Sequence, residues 1–192
     1  MRAGRGGSDD AGVKIWRHVS DEVARGEPLG GVNTPAAADA TSAGAHLETA
    51  QDMNPLHLSL VRTSYQWFRP CGPAMVAKVL RELADGDPEL GVLFATEDRR
   101  RAERFFRTLG QVVRHAHEFE RLEPSLEELG RAAAHAGASP RHYTLARNHL
   151  LATMAELAGD DWNEDLHRAW EGLLLAVGGA MLIGAMPRRR AA

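Results

Sequence analysis

Nine histidines and one cysteine carry most of the ligating and nucleophilic capacity of this chain. Histidines stand in strongly helical stretches at three places: His115 and His117 behind "FFRTLGQVV", His135 in "LEELGRAAAHAGASPRHY", and His149 beside Leu150 and Leu151. A neutral imidazole can ligate a metal or the iron of a cofactor, provided its helical phase turns it inward. His115 and His117 lie two positions apart, so only one of them can face the interior. Leu122, Leu126, Leu129 and Ala133 recur at helical spacing and form one inward stripe. The two-residue step from Ala133 to His135 turns the helix by roughly 200°. His135 is therefore expected to face solvent near a helix C-terminus, where a cation suits the dipole. No Cys or His pair has zinc-site spacing. Cys71, between two prolines, could serve as a reactive thiol or a bilin attachment point, but it lacks an activating neighbour and reads as inert. The pairs Asp160 with Asp161 and Glu127 with Glu128 read as caps and solvated faces rather than catalytic dyads.

The elements that must position these groups are helices. From Leu56 onward the apolar period is helical, and no strand-like alternation with turn punctuation occurs. Breaks at "RPCGP", "DGDPELG", "ERLEPS", "GASP" and "AGDD" predict an opening helix from about Leu56, a second after Pro73, a short turn at Pro88 and four longer helices. Phe105, Leu109, Val112 and Val113 mark one inner stripe, and Leu150, Leu151, Met154 and Leu157 another. Ser125 with Glu128 reads as a capping box, and Ser139 followed by Pro140 as a helix start. The last helix presents Trp170, Leu173, Leu174, Val177 and Met181 inward. Its glycines, Gly178 and Gly179, cost roughly 1 kcal/mol each against alanine, which suggests that another backbone approaches closely, within the fold or across a dimer.

Residues 1–55 form a tail rich in Gly, Ala, Ser, Thr and Asp, expected to be disordered because it cannot bury enough apolar surface to offset ordering. Val13, Trp16, Val19 and Val23 interrupt it at helical spacing, and are read as a transient helix in preference to a docking one. Residues 56–187 make the folded domain and 188–192 a basic end. A net charge of -3 and a pI near 6.3 provide no electrostatic case for a nucleic-acid partner. The start lacks the apolar core of a signal peptide, and the run from Gly172 to Met186 is shorter than the roughly 20 residues of a membrane span. The chain is thus expected to be soluble and cytoplasmic, with no membrane partner.

Five segments, "DPELGVLF", "FFRTLGQVV", "LEELGRAAAHAGASPRHY", "LLATMAEL" and "HRAWEGLLLAV", occur in the order and spacing of the bacterial single-domain globins and the globin part of flavohaemoglobins. The resemblance runs from about Ser59 to Met186 and implies an all-α, globin-like three-over-three fold around a haem pocket. It implies site positions too. The proximal histidine of the family, four residues after the leucine of "LG" and seven before the proline of the next helix, falls on Ala133, and His135 is two positions late. The distal tyrosine, seven residues before "DP", falls on Leu80, which has no hydroxyl to donate to a bound ligand. The glutamine position falls near Arg101, which could reach an anion or a propionate, although Arg99, Arg100, Arg101, Arg104 and Arg107 read first as a solvated basic face. Phe94 matches the haem-stacking phenylalanine, Tyr143 the tyrosine of the next helix and Trp170 the tryptophan of the last.

The expectation is a globin-like protein with a degenerate haem pocket, non-catalytic, acting as a sensing or protein-interaction domain, alone, as a homodimer or with a protein partner. The reductase module that flavohaemoglobin activity needs, and a glycine-rich dinucleotide turn, are not found in the sequence. The alternative is a globin that binds haem b, and oxygen or another small gas, through His135 or a shifted histidine such as His115 or His149.

Overall fold

A computed structural model describes residues 54–94 and 99–186, with the side chains of 92–94 not described. The tail, the Val13–Val23 segment and the basic end lie outside the described residues. Among those described there are seven α-helices and no strand: α1 (Pro55–Phe68), α2 (Gly72–Gly86), α3 (Pro88–Phe94), α4 (Arg99–His115), α5 (Glu123–His135), α6 (Pro140–Ala158) and α7 (Glu164–Ala185). Short 3-10 turns at Ala116–Arg121 and Gly159–Asp161 link α4 to α5 and α6 to α7. The helix boundaries follow local chemistry. Asn54 caps α1 by accepting the His57 N–H at 2.9 Å, and Asn163 caps α7 by accepting the Leu166 N–H at 2.9 Å. Proline stands in the first turn of α1, α2, α5 and α6, where its missing N–H is not needed.

α1, α4 and α5 lie over α2, α6 and α7. α4 crosses α2, α5 crosses α7, and α1 reaches both α6 and α7. This is the three-over-three arrangement expected. Trp170 is fully buried at its centre, edge-on to Phe68 with ring centroids 6.3 Å apart, and its indole N–H donates to the Ser64 hydroxyl at 2.9 Å. Ser64 in turn donates to the Leu60 carbonyl at 2.7 Å, so the one polar atom that Trp170 brings inside is satisfied. Ser64 carries no sequence signal of this role.

Three details differ from expectation. Ser125 lies inside α5 and not at its cap, because the 3-10 turn runs straight into the helix and the Leu122 carbonyl already accepts the Leu126 N–H at 2.9 Å. In α4 the core position belongs to Phe106, in phase with Ala102, Leu109 and Val113, while Phe105 sits at the edge of the core. In the last turn of α6, Leu157 is 49% exposed, and Ala158 takes the position against the core.

α7 is long and apolar enough to cross a membrane by length and composition, and 44% of its most apolar window is buried in the fold. Its Leu166, Trp170 and Leu173 belong to the hydrophobic core, which accounts for much of that apolarity.

Candidate functional site

The geometry of α5 decides what its end can do. Leu122, Leu126 and Leu129 are buried at 5%, 4% and 3% exposure, and Ala133 continues their stripe while remaining half-exposed. The helix stays regular through His135. Gly137, at φ 101°, then turns the chain, and the last carbonyls are taken up by Ala138 N–H to Ala133 O at 2.9 Å and Gly137 N–H to Ala134 O at 3.0 Å. The Ala138 bond follows from the positive φ of Gly137, which glycine adopts without a Cβ clash. His135 is exposed, on the side away from the leucine stripe. This is the phase that helical spacing predicts; an inward His135 would need α5 to end early, and it does not.

Glycines seat α5 against α7. A Cβ on Gly130 would stand 1.8 Å from the Met181 carbonyl oxygen, and one on Gly184 would stand 1.8 Å from the Glu127 carbonyl oxygen. The two backbones therefore touch at reciprocal points, with Ala133 one turn further along.

Leu80 of α2 and Phe105 of α4 are half-buried and pack against the core. Arg101 is half-buried in the first turn of α4, as is Arg104 one turn on, while Arg99, Arg100 and Arg107 are exposed. The basic face is thus only partly solvated. Phe94 ends α3, and its side chain lies outside the described residues, so the stacking role expected of it has no geometry here. Tyr143 is half-buried in α6, and its buried hydroxyl has no hydrogen-bond partner among the described residues. Burial raises its pKa above the ordinary phenol value.

The other histidines are engaged elsewhere. His149 faces Glu82 of α2, 3.2 Å from the carboxylate, and exposed His117 lies 2.9 Å from an Arg62 guanidinium nitrogen. His115 is half-buried at the end of α4, where a basic group in the last turn suits the dipole. These positions bring none of the three onto the stripe of α5.

One cluster escaped sequence reasoning. Asp87, Glu89 and His142 converge where α3 meets the start of α6, their ligating atoms within 4.8 Å of one another. His142 is a buried residue with its Nε2 3.3 Å from Glu89 and 3.7 Å from Asp87. Its Nδ1 accepts the Ser139 N–H at 3.1 Å, closing the start of α6 as a capping box. In a neutral ring that bond puts the proton on Nε2. A histidine ligating through Nε2 would carry its proton on Nδ1 instead, so the cap opposes metal binding. Arg141 also pairs with Asp87 Oδ2. Burial alone would raise the Asp87 carboxyl, but the Glu89 N–H, the Arg141 guanidinium and the Leu90 N–H outweigh it and hold it below the usual carboxylate value. The cluster is a joint between α3 and α6. The signal for it was the odd "SPRHY", a capping box with histidine where Glu or Gln is usual.

Residues 96–181 match the globin family, a stretch that covers α4 to α6 and most of α7. A flavohaemoprotein of Vibrio cholerae serotype O1 is 22% identical over 117 residues, which is 59% of this chain. The helical domain resembles a globin domain over this stretch. The chain spans only 30% of that relative's length, so the likeness concerns the globin part and not the whole flavohaemoprotein.

Haem is the group that such a relative's name records, and the residues of this helical domain can be tested for it. An iron-bound haem needs an axial donor from the protein. The inward end of α5 offers the methyl of Ala133, and His135, the last helical residue before the closed end, faces the other way. Leu80, the position that the resemblance assigns to the distal tyrosine, offers no hydrogen-bond donor. The described residues of α5 therefore do not fit axial ligation of haem iron.

Proposed function

We propose that this globin-like domain works without haem ligation, as a non-catalytic sensing or protein-interaction domain. The reading rests on one observation: the inward stripe Leu122, Leu126, Leu129 ends on Ala133, while α5 remains helical through outward-facing His135 and is closed by Gly137. Leu80 supports it too, since without a donor a polar iron-bound ligand would lack its usual stabilisation. Globins and flavohaemoproteins commonly bind haem, which keeps haem b as the competing cofactor and oxygen or another small gas as the competing ligand. No observation favours that second reading for His135, which would have to leave a capped helix to reach the pocket.

The test is an absorption titration of the purified protein with haemin. The wild type and His135→Ala are both expected to produce no saturable Soret shift, whereas Ala133→His gains a histidine-ligated spectrum. Stoichiometric histidine-ligated binding by the wild type that His135→Ala abolishes would overturn the proposal and make the protein a haem-binding globin.

A further inference from the structure

One histidine ring closes the corner between α5 and α6, and it stands between two bonding demands. Ser139, just before α6, donates its backbone N–H to His142 Nδ1 at 3.1 Å. That bond needs a bare Nδ1, because one N–H cannot accept from another. The other ring nitrogen, Nε2, is buried without a hydrogen-bond partner among the described residues. It nevertheless stands before two carboxylates, 3.3 Å from Glu89 Oε2 and 3.7 Å from Asp87 Oδ2. The side chains of His142 and Asp87 are each only 4% exposed, so water screens the group poorly.

The charged groups that face the ring pull in opposite directions. Asp87, between α2 and α3, and Glu89 on α3 favour an imidazolium. Arg141, which pairs with Asp87, and the N-terminal dipole of α6 oppose one. Around a neutral ring these three side chains leave one uncompensated negative charge, which a second ring proton would cancel. The same proton would occupy Nδ1, where the Ser139 N–H now points. The cap and the imidazolium therefore exclude each other.

We propose that His142 is a proton-operated latch on this corner. Without the second proton, Nδ1 holds the Ser139 N–H and the start of α6 is capped. With it, Nδ1 becomes a donor, the Ser139 bond breaks, and Asp87 and Glu89 retain the ring as a cation. The proton is taken from water and returned to it, and no covalent bond other than that N–H changes. The release reaches the end of α5. Ser139 follows Ala138, whose N–H closes that helix on the Ala133 carbonyl at 2.9 Å, so the freed turn is continuous with the one that ends α5. The latch makes pH a stimulus for the domain, and it operates whether or not haem is ligated.

Nuclear magnetic resonance on the full chain tests it, with the ring nitrogens of His142 reporting the proton and the Ser139 amide reporting the cap, from about pH 8 to about pH 5. Both should titrate at one midpoint. The protection of the Ser139 amide against hydrogen exchange should fall by about tenfold as the ring takes up its proton, with helical circular dichroism unchanged. His142→Gln places a usual capping-box residue there without a titrating group, so the Ser139 amide should stay bonded and the step should vanish. Glu89→Gln removes an exposed anion before Nε2 and should move the shared midpoint to lower pH, a shift that a purely structural ring would not show. A ring that titrates while the Ser139 amide stays bonded overturns the proposal. So does a Ser139 step that survives in His142→Gln, a ring that keeps its single proton on Nε2 over the whole range, or a Ser139 change that comes only with global loss of helix.

Discussion

Gly130 of α5 faces the Met181 carbonyl of α7 so closely that even a methyl group would stand 1.8 Å from the oxygen. Gly184 and Glu127 repeat the relation in the other direction. Backbone can yield here only by moving a helix. Gly130→Ala should therefore destabilise the protein by about 1–3 kcal/mol through overpacking, despite a helix-propensity gain of about 1 kcal/mol. Urea denaturation measures it, and a variant as stable as the wild type would mean that α5 and α7 can separate freely.

The bond from Trp170 to Ser64 ties α7 to α1 inside the core, where both side chains are fully buried. Ser64→Ala leaves the indole N–H without its acceptor and should cost about 1–3 kcal/mol. Because the two residues share that interaction, a double-mutant cycle with Trp170→Phe should give a coupling of about 1 kcal/mol. Additive single effects would show that the bond contributes little beyond packing.

Tyr143 places a buried hydroxyl where no described residue accepts from it. Tyr143→Phe removes the unmet group and keeps the ring, so the variant should be as stable as the wild type or more stable by about 1 kcal/mol. A clear loss in thermal unfolding would reveal a partner for the hydroxyl, such as bound water or a ligand.

Acid should weaken the joint at Asp87. Its carboxyl is held below its ordinary value, so protons bind more readily to the unfolded chain than to the folded one. The stabilisation is complete above the unfolded value of about 3.9 and is lost as the pH falls through the lower folded one. Asp87→Asn should therefore be less stable than the wild type near neutral pH, with the difference shrinking as the pH falls below the ordinary carboxylate value of about 3.9. Denaturation midpoints across that range decide it, and a gap that stays constant would remove Asp87 from the acid response.

Much of the architecture is legible in the sequence. Helical period from Leu56 onward, with proline and glycine at the joints, is enough for six or seven helices, because local backbone preference and an apolar stripe carry the information for a helix. The phase of His135 was equally legible, since 3.6 residues per turn separate it from the Leu122, Leu126, Leu129 stripe whatever α5 packs against. Phe106 replaced Phe105 and Leu157 proved exposed for the complementary reason. Within one or two residues of a stripe's edge, burial is set by the neighbouring helix.

What remained invisible in sequence depended on contacts between distant segments. The glycines in "ELGRA" and "LIGAM" have no local mark that they oppose carbonyls across a helix pair. Gly178 could have been a core approach or an outer one until α7 acquired an interior side. Asp87 and His142 meet only because α3 and α6 start at the same corner, and the Ser139 N–H then determines which ring nitrogen carries the proton. Periodicity depends on each segment alone, whereas these pairings depend on how the helices cross. That is why the helical class and the outward turn of His135 were properties of the sequence, while the α5 to α7 contact and the capped histidine cluster were decided by packing.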